Sequence, residues 1–233
     1  MKIPLPKFQQ KQPTIIQDFQ EVTIALFSAN LQPDAITEKI LKEKQIIPKK
    51  WKLTQPKLIK PNLKQFIFKN GFKIQIQPGK IYFTTPINQR RIAIDQIVSD
   101  FVNSFPEFIY NNWQIIPQRL ISLPGNLNAA QQFITENFLL EGEWQNFHDI
   151  KPKVKLQFFY TINNSSLILE INDVQIKNQR KNFKSALIFR GIFYKNLPNK
   201  ARNINSKNLI IIIKKYEEYL VIFNKIFNKF FSD

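Results

Sequence analysis

Lys64–Ile87 reads KQFIFKNGFKIQIQPGKIYFTTPI, three short alternating runs separated by Asn70-Gly71 and Pro78-Gly79. Asn-Gly between alternating apolar residues is a strong hairpin signal, because a tight turn needs positive φ and these residues adopt it cheaply. A two-residue loop there pairs Ile67 with Ile74 and Phe68 with Lys73. A second turn within Gln77–Lys80 pairs Ile76 with Ile81 and Ile74 with Phe83. Strand side chains alternate between faces, so this register puts Ile67, Phe72, Ile74, Ile76, Ile81 and Phe83 together as a core face. The opposite face collects Phe66, Phe68 and Tyr82 among Lys73, Gln75, Lys80 and Thr84. Two readings of that face are open. Phe66, Phe68 and Tyr82 can stack bases while Lys73 and Lys80 hold phosphates, as sheet aromatics do in single-strand RNA binders. Alternatively, a helix or second sheet covers them as ordinary core.

The pattern extends in both directions. EVTIALFSAN (21–30) alternates as a strand, and PDAITEKILKEK (33–44) carries Ile36, Ile40 and Leu41 at helical spacing behind Pro33. WKLTQPKLI is a strand interrupted by Pro56, and residues 92–105 form a helix with Ile94, Ile97, Val98, Phe101, Val102 and Phe105 in one stripe. WQIIPQRLISL is another interrupted strand, followed by a helix from Asn126 or Asn128 to about Leu139. The second half repeats the scheme. KVKLQFFYTI and LILEINDVQI flank Asn163–Ser166, pairing Tyr160 with Leu169 and Phe158 with Ile171, and SALIFRGIFYK (185–195) is the third strand. Ser206 then opens a long helix with Leu209, Ile213, Tyr216, Leu220, Phe223, Phe227 and Phe230 on one side. The expectation is an α+β protein of two antiparallel three-stranded meander-plus-helix units sharing a core, with a long C-terminal helix. The units are bounded as an extended arm at 1–20, a first unit at 21–145 and a second at 146–233.

Composition excludes much chemistry. The absence of cysteine removes disulfides, thiol catalysis and Cys-ligated metals, and one histidine, His148, removes multi-His sites. Five scattered glycines make no phosphate-cradling loop, and Gly191 is read as a bulge or a close packing point. Glu141, Glu143, His148 and Asp149 are the one polar cluster with acid and base, and their spacing matches no named motif. We read them as a solvated loop and assign no catalytic, metal or cofactor residue. LIIII (Leu209–Ile213) is far short of the ~20 residues a spanning helix needs, and the prolines of MKIPLPKF disrupt the apolar core of a secretion signal.

The net charge is +17. Isoleucine, lysine, asparagine and phenylalanine make up 109 of 233 residues, with only 6 arginines, so AT-rich codon bias raises lysine without functional pressure. Position separates drift from function better than the total does. Residues 61–176 hold 10 basic and 9 acidic residues, whereas 177–233 hold 13 and 3. Lys177, Arg180, Lys181, Lys184, Arg190, Lys195, Lys200, Arg202 and Lys207 fall in one stretch without an acid. This cluster, Arg190 apart because strand alternation turns it partly inward, is the candidate polyanion-binding segment.

The order of elements, LILEIND (167–173) and the helix NLIIIIKKYEEYLVIFNKIF (208–227) resemble a sporadically distributed bacterial family of conserved proteins of unknown function. Asn172 departs from that family's paired acids. The Ile/Lys/Asn/Phe bias resembles a reading frame of a red-algal plastid or a cyanobacterium, which implies a plastid stroma or cyanobacterial cytoplasm. The resemblance brings no activity. The residues point to non-catalytic binding of a polyanion, RNA foremost. The alternative is an assembly or scaffold factor for an acidic protein complex or an anionic lipid surface.

Overall fold

The computed structural model describes residues 17–54, 58–60, 62–87, 92–139, 142, 153–162, 165–177, 183–197 and 202–231. Among these, nine strands are formed: β1 (Gln17–Ser28), β2 (Leu58–Lys60), β3 (Leu63–Ile67), β4 (Lys73–Gln77), β5 (Lys80–Pro86), β6 (Tyr110–Ser122), β7 (Lys155–Ile162), β8 (Ser165–Lys177) and β9 (Phe183–Asn196). They lie in a single antiparallel sheet ordered β2-β3-β4-β5-β1-β6-β9-β8-β7. The α+β class is as expected, but in place of two three-stranded meander units one continuous sheet forms. β1 and β6 are both long and alternate apolar with polar residues, so each has an edge to pair and one face to bury. Their ladder, from Gln17↔Ser122 to Ser28↔Tyr110, joins both runs of strands into one sheet.

The first hairpin differs from the expected register by one residue. Phe68 N–H donates to the Phe72 carbonyl and Gly71 N–H to the Phe68 carbonyl, so the loop is Lys69-Asn70-Gly71 with Gly71 at φ +84°. A three-residue loop closing on a left-handed glycine sets Phe66 opposite Ile74 and Ile67 opposite Lys73. Phe66 and Phe68 therefore turn to the core, and Ile67 turns away from it. At the second turn Gly79 has φ +78°, and Ile76↔Ile81 and Ile74↔Phe83 pair as read from the sequence.

Among the described residues five helices accompany the sheet: α1 (Glu38–Glu43), α2 (Ile94–Ser104), α3 (Ala129–Phe138), α4 (Arg202–Lys214) and α5 (Tyr216–Phe231). Pro33 starts only a 3-10 turn, and Thr37, whose Oγ1 accepts the Ile40 N–H at 3.2 Å, caps the short α1. The expected long C-terminal helix starts at Arg202 rather than Ser206 and is broken at Lys215. There i→i+3 bonds, Lys215 N–H to Ile212 O and Glu218 N–H to Lys215 O, replace the regular ladder. The break lets α4 pack on α2 and β6 while α5 crosses β6 and β9.

Helices cover one face of the sheet. Phe101 of α2 meets Phe83, Tyr219 meets Trp113 and Phe193, and Phe189 is ringed by Phe223, Phe227, Phe230 and Phe231. Arg119 points to this same side, where it lies 3.5 Å over the Phe227 ring and pairs with Asp18. Near the sheet centre the β6–β9 ladder has no bridge at Pro117, which lacks an N–H. In the unchanged register Pro117 faces Gly191, and a Cβ there would sit 2.8 Å from the Phe223 ring. Gly191 is thus a close-packing point for α5.

Candidate functional site

The opposite face of the sheet carries no helix among the described residues. Across it runs a row of polar side chains contributed by six strands, each placed by strand alternation and the shared register. Lys73 Nζ lies 3.4 Å from Glu21 Oε2, and Gln118 Nε2 donates to Glu21 Oε1 at 3.3 Å. Arg190 Nε donates to Gln118 Oε1 at 2.8 Å, and its Nη1 is 3.6 Å from Glu170 Oε2. Glu170 Oε1 accepts from Gln157 at 2.7 Å and from Lys155 at 3.0 Å. Partial burial pushes the Glu170 carboxyl up, but the hydrogen bonds from Lys155 and Gln157 and the charges of Lys155 and Arg190 outweigh it. The group is held below its ordinary value. Both acids of the row are consumed internally.

Beside this row lie Ile116, Ile192, Ile168 and Phe159, aligned across β6, β9, β8 and β7, with Phe159 at 71% exposure. Phe19, Leu120 and Ile188 align on the other side of the polar row. The result is a surface mixing apolar rows with neutralised charge.

The stacking triad does not assemble. Phe66 and Phe68 are 2% and 1% exposed in the core, Phe68 against Trp51. Tyr82 is half-buried on the open face opposite Gln75, so the three share no surface. The base-stacking assignment is corrected by the one-residue change in hairpin register described above.

The basic segment is divided. Lys177 and Lys184 sit at one end of the β8–β9 hairpin, where Lys177 pairs with Phe183 in the ladder and places its Nζ 5.7 Å from that ring. Lys195 sits at the far end of β9 opposite Trp113, and Lys207 is exposed on α4. Eleven residues of extended chain separate Lys184 from Lys195, roughly 36 Å at ~3.3 Å per residue. Arg180, Lys181 and Lys200 lie outside the described residues, as do Glu141, Glu143, His148 and Asp149; Arg202 is the first residue of α4. Among the described residues Lys177, Lys184, Lys195 and Lys207 have no carboxylate at ion-pair distance, in contrast to Lys73, Lys155 and Arg190.

A further lysine group went unread in the sequence: Lys42, Lys49 and Lys50 line a cleft with Trp51 on the helical side. Its signal is present in KEKQIIPKKWK (42–52), basic residues interleaved with an aromatic after a helix end. Comparison with protein-family models gives no match. The chain likewise shows no similarity to the curated proteins with which it was compared. No helix among the described residues is long and apolar enough to cross a membrane.

Proposed function

We propose that the protein is a non-catalytic binder of an extended polyanion, with single-stranded RNA the leading class, in a plastid stroma or cyanobacterial cytoplasm. The observation that carries this reading is the segregation of charge. Acids of the sheet neutralise the cations of the open face, whereas Lys177, Lys184, Lys195 and Lys207 at the two ends of β9 have no carboxylate partner among the described residues. Lys177, Lys195 and Lys207 are exposed and Lys184 partly so, and cations without a carboxylate partner keep their counterion-release contribution for a phosphate backbone. A compact anion reaches one end only; a strand engages both. In the sequence, Arg180, Lys181, Lys200 and Arg202 belong to the same acid-free stretch as these lysines.

The test is binding of a single-stranded RNA by the full chain and by a variant with Lys177, Lys184, Lys195 and Lys207 all changed to Gln. Surface changes of this kind cost within ~0.5 kcal/mol each, so the fold persists. Affinity should fall, and the slope of log affinity against log salt should flatten by about 0.7 for each phosphate no longer engaged. Equal affinity and slope in both proteins would refute the reading.

The open face favours a second reading, an assembly factor docking an acidic protein surface. Its apolar rows need a partner with apolar side chains, and the partly exposed Lys73, Lys155 and Arg190 complement carboxylates at that partner's rim. Ile168→Lys with Ile192→Lys would abolish such docking and leave RNA binding intact.

A further inference from the structure

A cleft of about 700 Å³ opens between the α1–β2 connection, the first turn of α2 and the β3–β4 loop. This volume lies within the range of small-molecule sites, ~300–1,000 Å³. Its floor is apolar, from the buried Ile46, Ile47 and Ile97. Its rim carries Lys49 and Lys50, both exposed and without a carboxylate partner among the described residues. Lys42 also lines it, but is engaged by Glu38 at 2.8 Å. Trp51 is held at the side by edge contact with Phe72 and a tilted contact with Phe68, at 5.3 and 5.4 Å between centroids.

Gln45 adds an independent observation. It is the one non-glycine residue with positive φ among the described residues, at φ +57°. α1 ends there in a paired capping motif: Gln45 N–H donates to Lys42 O and Ile46 N–H to Leu41 O. This position takes glycine by default, because a Cβ is strained in the left-handed region. A glutamine here carries that strain, and the residue is part of the cleft lining. Residues held in such conformations cluster at ligand sites.

We propose that this cleft binds a nucleoside phosphate, with the base on the apolar floor beside Trp51 and the phosphate at Lys49 and Lys50. An apolar floor alone would suit any hydrophobe, and lysines alone any anion. The two within one cleft of this size fit a ligand with a flat aromatic end and a charged end. The Gln45 amide, able both to donate and to accept, and the Asp100 carboxylate at the cleft wall suit base edges and sugar hydroxyls. The ligand is either a free nucleotide or the 5′-phosphorylated end of an RNA strand. The inference goes beyond the RNA reading and does not depend on it, since the lysines of β8, β9 and α4 play no part in it.

The probes are the four common nucleoside monophosphates, titrated calorimetrically into the full chain, with nucleosides and inorganic phosphate as controls. At least one monophosphate should bind below ~1 mM, with its nucleoside and phosphate alone about tenfold weaker or more. Lys49→Gln with Lys50→Gln should weaken that monophosphate about tenfold while the melting temperature stays unchanged. Gln45→Gly should raise the melting temperature and weaken binding, a combination that a purely structural glutamine does not produce. Competition by a 5′-phosphorylated RNA but not its 5′-hydroxyl form identifies the strand end as the source; no competition by either identifies the free nucleotide. Absence of binding by all four monophosphates, or equal affinity in the double lysine variant, would overturn the proposal. The quadruple variant of the RNA test should bind the monophosphate normally, so the two readings fail separately.

Discussion

At the scale of single residues, one backbone angle decides which aromatic side chains are buried. Gly71 at φ +84° closes a three-residue loop, and this turns Phe66 and Phe68 inward. Gly71→Val forces a β-branched residue into the left-handed region at ~1–2 kcal/mol, which in a chain of this size lowers the melting temperature by roughly 2–8 °C. An unchanged melting temperature would contradict the turn. Glu170 gives a pH prediction. Its folded value is held below the ordinary 4.5, so its contribution is present above that value and disappears as pH falls through the folded one. Glu170→Gln should therefore melt below wild type near neutral pH, and the gap should close as the pH falls below the ordinary carboxyl value. A gap independent of pH would show that the ladder owes nothing to the charge of Glu170. Asn-Gly was legible as a turn, but its loop length was not, because two- and three-residue loops use the same residues and differ only in where the ladder resumes.

At the scale of elements, the two hairpins show why some readings survive register errors. The first shifted by one residue, and side-chain period 2 moved Phe66, Ile67 and Phe68 to opposite faces. In the second, Tyr160 pairs with Leu167 rather than Leu169, a shift of two, so the face holding Phe158 and Tyr160 is unchanged. The strands and the α2 stripe were legible because local periodicity encodes them. The break at Lys215 was not, since the apolar spacing of Leu209, Ile213, Tyr216, Phe223 and Phe227 runs through it; tertiary packing on two different neighbours makes the bend. Gly191 offers a test of how α5 seats. Gly191→Ala places a methyl 2.8 Å from Phe223 Cδ2, with Leu167 Cδ1 at 3.4 Å on another side. Such overpacking costs ~1–3 kcal/mol. Adding Phe223→Leu should recover part of the loss, so the pair is less destabilised than the sum of the single variants. Strict additivity in denaturant melts would mean that α5 does not press on β9 there.

At the scale of the whole molecule, one sheet has a helical face and an open face, and charge is sorted between the open face and the sheet ends. The sequence shows the nine basic residues of 177–207 as one cluster, whereas the fold places Lys177 and Lys184 at one end of an extended strand and Lys195 at the other. Linear proximity did not translate into one patch because β9 runs the full width between them. That separation makes the binding reading quantitative. The lysines of the two ends, Lys184 and Lys195, are roughly 36 Å apart along the strand at ~3.3 Å per residue, so an oligonucleotide must exceed a minimum length before it engages both. The direct measurement is affinity against length for single-stranded RNA oligonucleotides at fixed salt. The account predicts weak, slowly rising affinity for short oligonucleotides and a step at the length that first spans both ends, with the step removed by Lys195→Gln and Lys207→Gln together. A smooth rise proportional to length, the same in that variant as in wild type, would contradict it.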